Sequence, residues 1–428
     1  MSQSPQSVEP QTDSFQGRLE HDQLSDVGLR RSNNQDSMAV VLAASKNVWQ
    51  QRGDLFVVAD GMGAHAAGEL ASKLSTDTVP LVYQKLADRT PAEAILAALE
   101  DANAQIHSRG QASVDFRGMG TTTTALVLLP YGALLAHVGD SRAYRLRGTR
   151  LEQLTFDHSL VWEIRAAGQH QGKVPDYVPK NVITRSLGPN PSVQVDLEGP
   201  HPIVPGDTFL MCSDGLSGPV KDDELGMVMA SMPPAEAVRA LVNLANLRGG
   251  PDNITVIVAK TAGPSWSQSP ADMPRPRAAL RPVDAKVWVA MGVLTLAGLG
   301  LLLTAQWIPA ALSLVAAAVL GVGAWFYRRG GEVKGPPLNG KRYGRGPYTA
   351  VVCPPSQEFV RRLAETLREL RDAAARTDLT VDAGALNAML DCAAQGNQSG
   401  NYAQAVRSYC QAIALLVAEF KRQGKSRK

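Results

Sequence analysis

Cysteine is scarce in this 428-residue chain: Cys212, Cys353, Cys392 and Cys410 stand far apart, and no two form a C-x-x-C pair. That spacing argues against a zinc cluster and a disulfide framework and fits a reducing compartment. No arginine follows any of them at the sixth position, so thiolate attack on phosphate through a C-x5-R loop is excluded. A G-x-S-x-G elbow and a G-x-x-x-x-G-K-[ST] phosphate loop are missing too. The opening MSQSPQSVEPQTDSFQG has no apolar run, which excludes a signal peptide and reads as a disordered lead-in, placed at residues 1–22. Aromatics are only 5% of the chain, and no Arg/Lys stripe is interleaved with them, so no nucleic acid is expected as a partner.

Charge of one sign is lacking only in the sum. The net charge is +3, yet residues 1–262 carry 22 basic against 29 acidic groups, whereas the remainder carries 21 against 11. An acidic half followed by a basic half suggests a carboxylate-rich, metal-handling domain and then a segment facing an anionic surface. In residues 24–260, short β-rich runs (55–59, 124–129, 133–138, 208–212, 254–259) alternate with helical periodicity at 68–86, 91–109 and 234–247. Pro91 and Pro234 suit the first turns of their helices.

A Pro/Ser/Ala-rich linker (263–285) leads to two uncharged apolar stretches, 287–305 and 310–327. At about 1.5 Å per residue each is about 27–29 Å long, enough to cross a bilayer core, and Pro309 and its neighbours are expected to turn the chain between them. Arg275, Arg277, Arg281 and Lys286 flank the apolar stretches of this transmembrane hairpin (286–329) on one side, and Arg328, Arg329 and Lys334 on the other, so both flanks are expected in the cytoplasm. After a second linker (330–347), residues 348–428 read as a small helical domain, faintly tetratricopeptide-like through Ala393, Gly400, Tyr402, Ala405, Tyr409 and Ala412. Those helices are a possible docking site for a protein partner.

The chemistry lies in where the aspartates fall. Asp60-Gly61, Gly139-Asp140 and Asp214-Gly215 each follow an apolar run, and Asp252-Asn253 precedes one. A carboxylate at the edge of a buried strand is costly unless something positive meets it. Four of them in one domain can converge on hard divalent cations, which take oxygen ligands and retain water.

With SDVGLRRSNNQDS (residues 25–37) the pattern becomes recognisable. Together with VVADGMGAHAAGE, GMGTTTTALV, AHVGDSRAYRL, LTFDHSL, NVITRSLG, FLMCSDGLSG and GGPDNITVIVA, it makes the chain closely resemble the metal-dependent, protein phosphatase 2C-type family over about residues 24–260. The resemblance implies a catalytic domain at 23–262 of α+β class: a four-layer αββα sandwich of two antiparallel sheets flanked by helices. It implies a protein serine/threonine phosphatase using Mn2+ or Mg2+, with two ions at the core and room for a looser third. Asp60 would bridge the ions, with the Gly61 carbonyl on the first and Asp214 and Asp252 on the second. Asp36 would hold and orient the attacking water, Arg31 would clamp the phosphate, and Asp140 would serve the third ion. Residues 159–183 would form a mobile flap. Two departures are Ala64, where the family usually has glycine, and Met62, where the eukaryotic branch has a histidine proposed as general acid. His137 and Thr121–Thr124 read as ordinary core and strand residues, and His65 as structural, with a general-acid role for it left open. Phosphoproteins, a cognate Ser/Thr kinase and the bacterial inner membrane are the implied partners. A membrane-tethered recruitment scaffold is the alternative reading.

Overall fold

The structure, a computed structural model, describes residues 15–64, 66–167, 182–263, 284–329, 342–377 and 381–426, with a few isolated positions between them. The lead-in before residue 15, His65, most of the flap stretch after residue 167 and most of both linkers lie outside the described residues. In chain order the first elements are β1 (Leu19–Asp26), β2 (Asp36–Val41), α1 (Lys46–Arg52), β3 (Asp54–Met62), α2 (Ala67–Lys85), α3 (Pro91–Ala112) and β4 (Gly120–Thr121). Then come β5 (Thr123–Leu129), β6 (Gly132–Val138), β7 (Arg142–Arg147), β8 (Arg150–Gln153), α4 (Leu160–Ala166), β9 (Asp196–His201) and β10 (Thr208–Cys212). They are followed by α5 (Asp214–Ser217), α6 (Asp222–Ser231), α7 (Pro234–Leu247) and β11 (Ile254–Thr261).

Two antiparallel sheets result. One runs β2-β3-β5-β6-β9, with β4 on β3; the other contains β1-β11-β10-β7-β8. Strand β3 shows why the apolar runs are continuous rather than alternating. Leu55 and Val57 pack toward α2 and α3, whereas Phe56 and Val58 face the second sheet. Successive side chains point to opposite faces, and both faces are covered. Helices α2 and α3 cover one sheet and α6 and α7 the other, giving the expected four layers. Helix α3 starts where a Thr90–Glu93 capping box precedes Pro91, satisfying N–H groups that the helix itself cannot.

Order begins earlier than expected at the N-terminus. β1 starts at Leu19, inside the stretch read as disordered, and pairs with β11 from Leu19↔Thr261 to Asp26↔Ile254. Its polar outer face (LEHDQLSD) hid it from a search for apolar runs. Just before it, Arg18 Nη2 and Nε donate to Asp54 at 2.5 and 3.1 Å, with both side chains buried. Arg18→Met would strand the Asp54 charge in the core, and a loss of about 3–5 kcal/mol is expected in a denaturant titration.

The apolar stretches form an antiparallel pair, α8 (Ala285–Leu303) and α9 (Trp307–Arg329), each long and apolar enough to cross a membrane. Ser313 Oγ donates to the Leu294 carbonyl at 2.8 Å across the pair. Leu303 and Ile308, at 90% and 77% exposure, face away from protein. The reversal differs from expectation. It lies at Thr304–Gln306, with Ala305 at φ +63°, and Pro309 falls inside the first turn of α9. A proline there costs nothing, because no N–H is needed at that point.

The C-terminal region is helical as expected, but it does not stand apart. Strand β12 (Thr349–Val352) pairs with β8 as a sixth strand of the second sheet. Helix α12 (Tyr402–Ser426) then packs on α6 and α7, and α10 (Gln357–Arg376) and α11 (Ala383–Gln398) pack on α12. Phe359, Leu363, Val406, Ile413 and Leu416 share one core cluster with Leu241 and Val228. Glu236 accepts from Arg407 at 2.6 Å and from Gln411 at 3.0 Å, and Tyr348 bonds Glu198. The hairpin therefore lies between strands β11 and β12 of one sheet, and residues beyond 350 share a core cluster with the catalytic domain.

Candidate metal centre

Strand register sets the site. Asp36, the first residue of β2, lies opposite Asp60 near the end of β3. Asp140 follows β6 by two residues, Asp214 opens α5 directly beyond β10, and Asp252 lies just before β11. All five acids thus come from strand ends at one edge of the sandwich. Gly61 leaves no room for a side chain: a Cβ there would stand 2.0 Å from the Gly68 carbonyl oxygen. Its N–H donates to the Gln35 carbonyl at 3.1 Å, which ties β3 to the motif loop.

Burial and crowding act on these acids together. Burial, and then the charges of Asp36, Asp214, Asp140 and Asp252, push the Asp60 carboxyl well above its usual range. Burial raises Asp36 to about 7 against the pull of the Ser213 hydroxyl, with Asp214 and Asp252 adding to the rise. Asp140 is raised to about 7 by burial and by Asp214 and Asp157, and Asp214 is raised by burial and Asp252. Among the described residues, Asp36 Oδ1, Asp140 Oδ1 and Asp214 Oδ1 are buried without a hydrogen-bond partner. Such oxygens are expensive unless a cation meets them. An all-oxygen set of this kind fits Mg2+ or Mn2+. Among the described residues, no three His, Cys, Asp or Glu side chains are drawn tightly enough together to enclose an ion as they stand. Two of their oxygens are engaged elsewhere: Asp36 Oδ2 by Ser213 Oγ at 2.7 Å and Asp252 Oδ2 by Arg31 Nη2 at 2.7 Å.

Arg31 therefore sits beside the acids, half exposed, and its bond to Asp252 raises its own affinity for the proton. Asn253 is a clamp that sequence reasoning passed over. Its Oδ1 accepts from the Gln35 N–H, and its Nδ2 donates to the Val27 and Asn33 carbonyls at 2.8–3.0 Å. Ser213 is another, accepting from the Thr255 N–H at 3.0 Å while it donates to Asp36. The threonine run is more than a set of strand formers. Thr121 Oγ1 donates to the Asp60 carbonyl, and Thr122 Oγ1 accepts from the Asp60 N–H, both at 2.9 Å. In LTFDHSL, His158 Nδ1 accepts from the Gly139 N–H at 3.0 Å, bracing the turn that carries Asp140. His137 is buried as expected, bonded to Thr124 and to the Phe156 carbonyl, and burial lowers it to about 3. For Asn253 and Ser213 the signal was adjacency to Asp252 and Asp214; Thr121, Thr122 and His158 stand apart from the site acids in sequence, and their partners lie too far along the chain to be read. A groove of about 520 Å³ opens beside Asn34 and Asp36, walled by Glu69, Leu70, Lys73 and Phe116.

Residues 30–247 match the family model described as Protein phosphatase 2C. Protein phosphatase PhpP of Streptococcus pneumoniae is 37% identical over 238 residues, covering 54% of this chain and 94% of PhpP. Among solved structures, the Mycobacterium tuberculosis serine/threonine phosphatase PstP/Ppp superposes with a TM-score of 0.50 at 34% identity, covering 57% of this chain and all of that one. The S. agalactiae serine/threonine phosphatase gives 0.51 at 35%, covering 57% and 99%. The shared sandwich, the motif order and these matches agree: the chain belongs to the protein phosphatase 2C family and is a metal-dependent serine/threonine protein phosphatase.

Proposed function

We propose that the protein removes phosphate from phosphoserine and phosphothreonine of proteins marked by a Ser/Thr kinase, at the cytoplasmic face of the bacterial inner membrane. The observation that carries the reading is the ring of acids around Asp60, with three buried oxygens lacking partners. Asp60, the Gly61 carbonyl, Asp214 and Asp252 would hold two Mn2+ or Mg2+ ions. Asp140 with Asp214 would hold a looser third. When bound, the ions would offset the carboxylate charge and supply an activated water for in-line displacement at phosphorus. Asp36, braced by Ser213, orients that water and can take its proton. Arg31 gives one N–H to Asp252, and among the described residues the rest of its fork is open to bind phosphate oxygens. The groove beside Asp36 gives the substrate chain a path to the acids.

The membrane part rests on α8 and α9, with Trp288, Trp307 and Trp325 near their ends and basic residues on both flanks. The enzyme reading is favoured over a recruitment scaffold, because apolar residues of α10 and α12 share a core with α6 and α7 of the catalytic domain.

The test uses the full-length chain in detergent with a phosphothreonine peptide. Release with Mn2+ that stops in EDTA is expected; a folded, Mn2+-binding protein that releases nothing would overturn the reading. Arg31→Lys keeps the charge and loses the planar fork. Its KM is expected to rise about 10-fold, with a smaller change in kcat, as removal of one charge-assisted bond predicts. Washing membranes with alkaline carbonate tests the anchor: the chain should stay in the pellet.

A further inference from the structure

The last turns of α12 reach the loop that carries Arg31. Lys421 Nζ donates to Asp26 Oδ2 at 2.8 Å. Asp26 ends β1, and its other oxygen accepts from the Gly28 N–H at 3.0 Å and from Asn246 Nδ2 of α7 at 3.1 Å. One carboxylate thus joins three elements at the root of the 27–35 loop. Beyond it, the Leu29 and Arg30 N–H groups donate to the Gly250 carbonyl at 2.9 and 3.2 Å. Gly28, at φ +78°, passes so close that a Cβ would lie 2.2 Å from the Asp252 carbonyl oxygen. The loop therefore lies on the segment that presents Asp252, and Arg31 bonds Asp252 from its tip. The body of α12 is no loose tail: Val406, Cys410, Ile413 and Leu416 are buried against the catalytic sheet's helices, so Lys421 is delivered by a fixed rod.

We propose that Lys421 is a positioning residue for the phosphatase reaction: by clamping Asp26 it holds the loop that presents Arg31 to the substrate phosphate. The inference rests on the role given to Arg31 under the proposed function. Burial alone would raise the Asp26 carboxyl; the bonds from Lys421, Asn246 and Gly28 outweigh it and hold the carboxyl below its usual range. The solved relatives cover only 57% of this chain, and the segment that supplies Lys421 lies beyond the 30–247 family match, so this contact belongs to what the chain adds to the family fold.

Lys421→Met and Lys421→Arg, made in the full-length protein in detergent, test it with two readouts. In Lys421→Met, KM for a phosphothreonine peptide should rise about threefold with kcat held within about twofold, the scale of one half-exposed ion pair. Hydrogen exchange of the Gly28, Leu29 and Arg30 amides should quicken by a similar factor, and Lys421→Arg should restore both values. Unchanged KM and exchange in Lys421→Met would overturn the proposal. So would changes that persist in Lys421→Arg beside a lowered melting temperature, because they would mark helix docking alone. Were the wild type itself to release no phosphate, the proposed function would fall, and the exchange readout would still decide whether Lys421 orders the loop.

Discussion

Asp60→Asn is expected to cut metal-dependent phosphate release by about three orders of magnitude and, in EDTA, to make the protein more stable than wild type. The first effect follows from removing the central carboxylate of the site, since a bound divalent ion contributes several kcal/mol to the transition state. The second follows from the crowding of acids. Burial and four neighbouring aspartates hold the Asp60 carboxyl well above its usual value, with Asp36 and Asp140 raised to about 7. In the metal-free protein these groups bind protons in the folded state that they release in the unfolded state. Stability therefore falls as pH rises from the ordinary aspartate range through 7. Asparagine carries no charge at any pH, so the advantage of the variant should widen between pH 5 and pH 8. A gain of about 5 °C at pH 8 is expected, on the scale of one to two kcal/mol for a domain of this size. Mn2+ should raise the melting temperature of wild type and leave that of Asp60→Asn nearly unmoved, because only a ligand bound by the folded state stabilises it. Thermal scans at two pH values with EDTA or Mn2+ check all of this; a variant that melts below wild type in EDTA would contradict the account.

Removal of residues 342–428 is expected to do more than trim a tail. It uncovers the β8 edge that β12 pairs with and the faces of α6 and α7 that α10 and α12 cover. Phe359, Leu363, Leu367, Ile413 and Leu416 are each at most 2% exposed. Burying a side chain of this type contributes about 1.5–3 kcal/mol, and a whole domain is stable by only about 5–15 kcal/mol. An unpaired edge strand beside exposed apolar helices also invites aggregation. The truncated protein should therefore melt at least about 10 °C lower or come out of solution, even though the solved relatives match this chain over only 57% of its length. In the intact chain, Phe359→Ala isolates the same interface and should cost about 3–5 kcal/mol. Truncation that leaves melting and solubility unchanged would mean that the helices rest on the sheet without supporting it.

Much of the site was legible before any coordinates. The Asp-Gly pairs, the Asp252-Asn253 pair and the 25–37 motif are local patterns in which residue type and spacing carry chemical meaning. Apolar runs with both faces buried are equally local, so β3, β5, β6, β10 and β11 could be read, as could α7 with its opening prolines. β1, β7 and β8 could not, because charged residues break their apolar pattern, nor could β12, a four-residue TAVV whose partner β8 lies far back along the chain. The same distance in sequence hid the supports of the acids: Ser213 on Asp36, Asn253 across the motif loop, and the hydroxyls of Thr121 and Thr122 on the Asp60 backbone. The amphipathic face of α10 announced that it needed a partner, and nothing local named it. Local motifs, and the family resemblance they carry, thus indicated which acids to look for and that two helices are long and apolar enough to enter a membrane. Only tertiary packing decided that the C-terminal helices would close over the catalytic sheet and bring Lys421 to Asp26. A carboxylate declares its chemistry wherever it stands, whereas a contact between residues 395 positions apart exists only once the chain between them has folded.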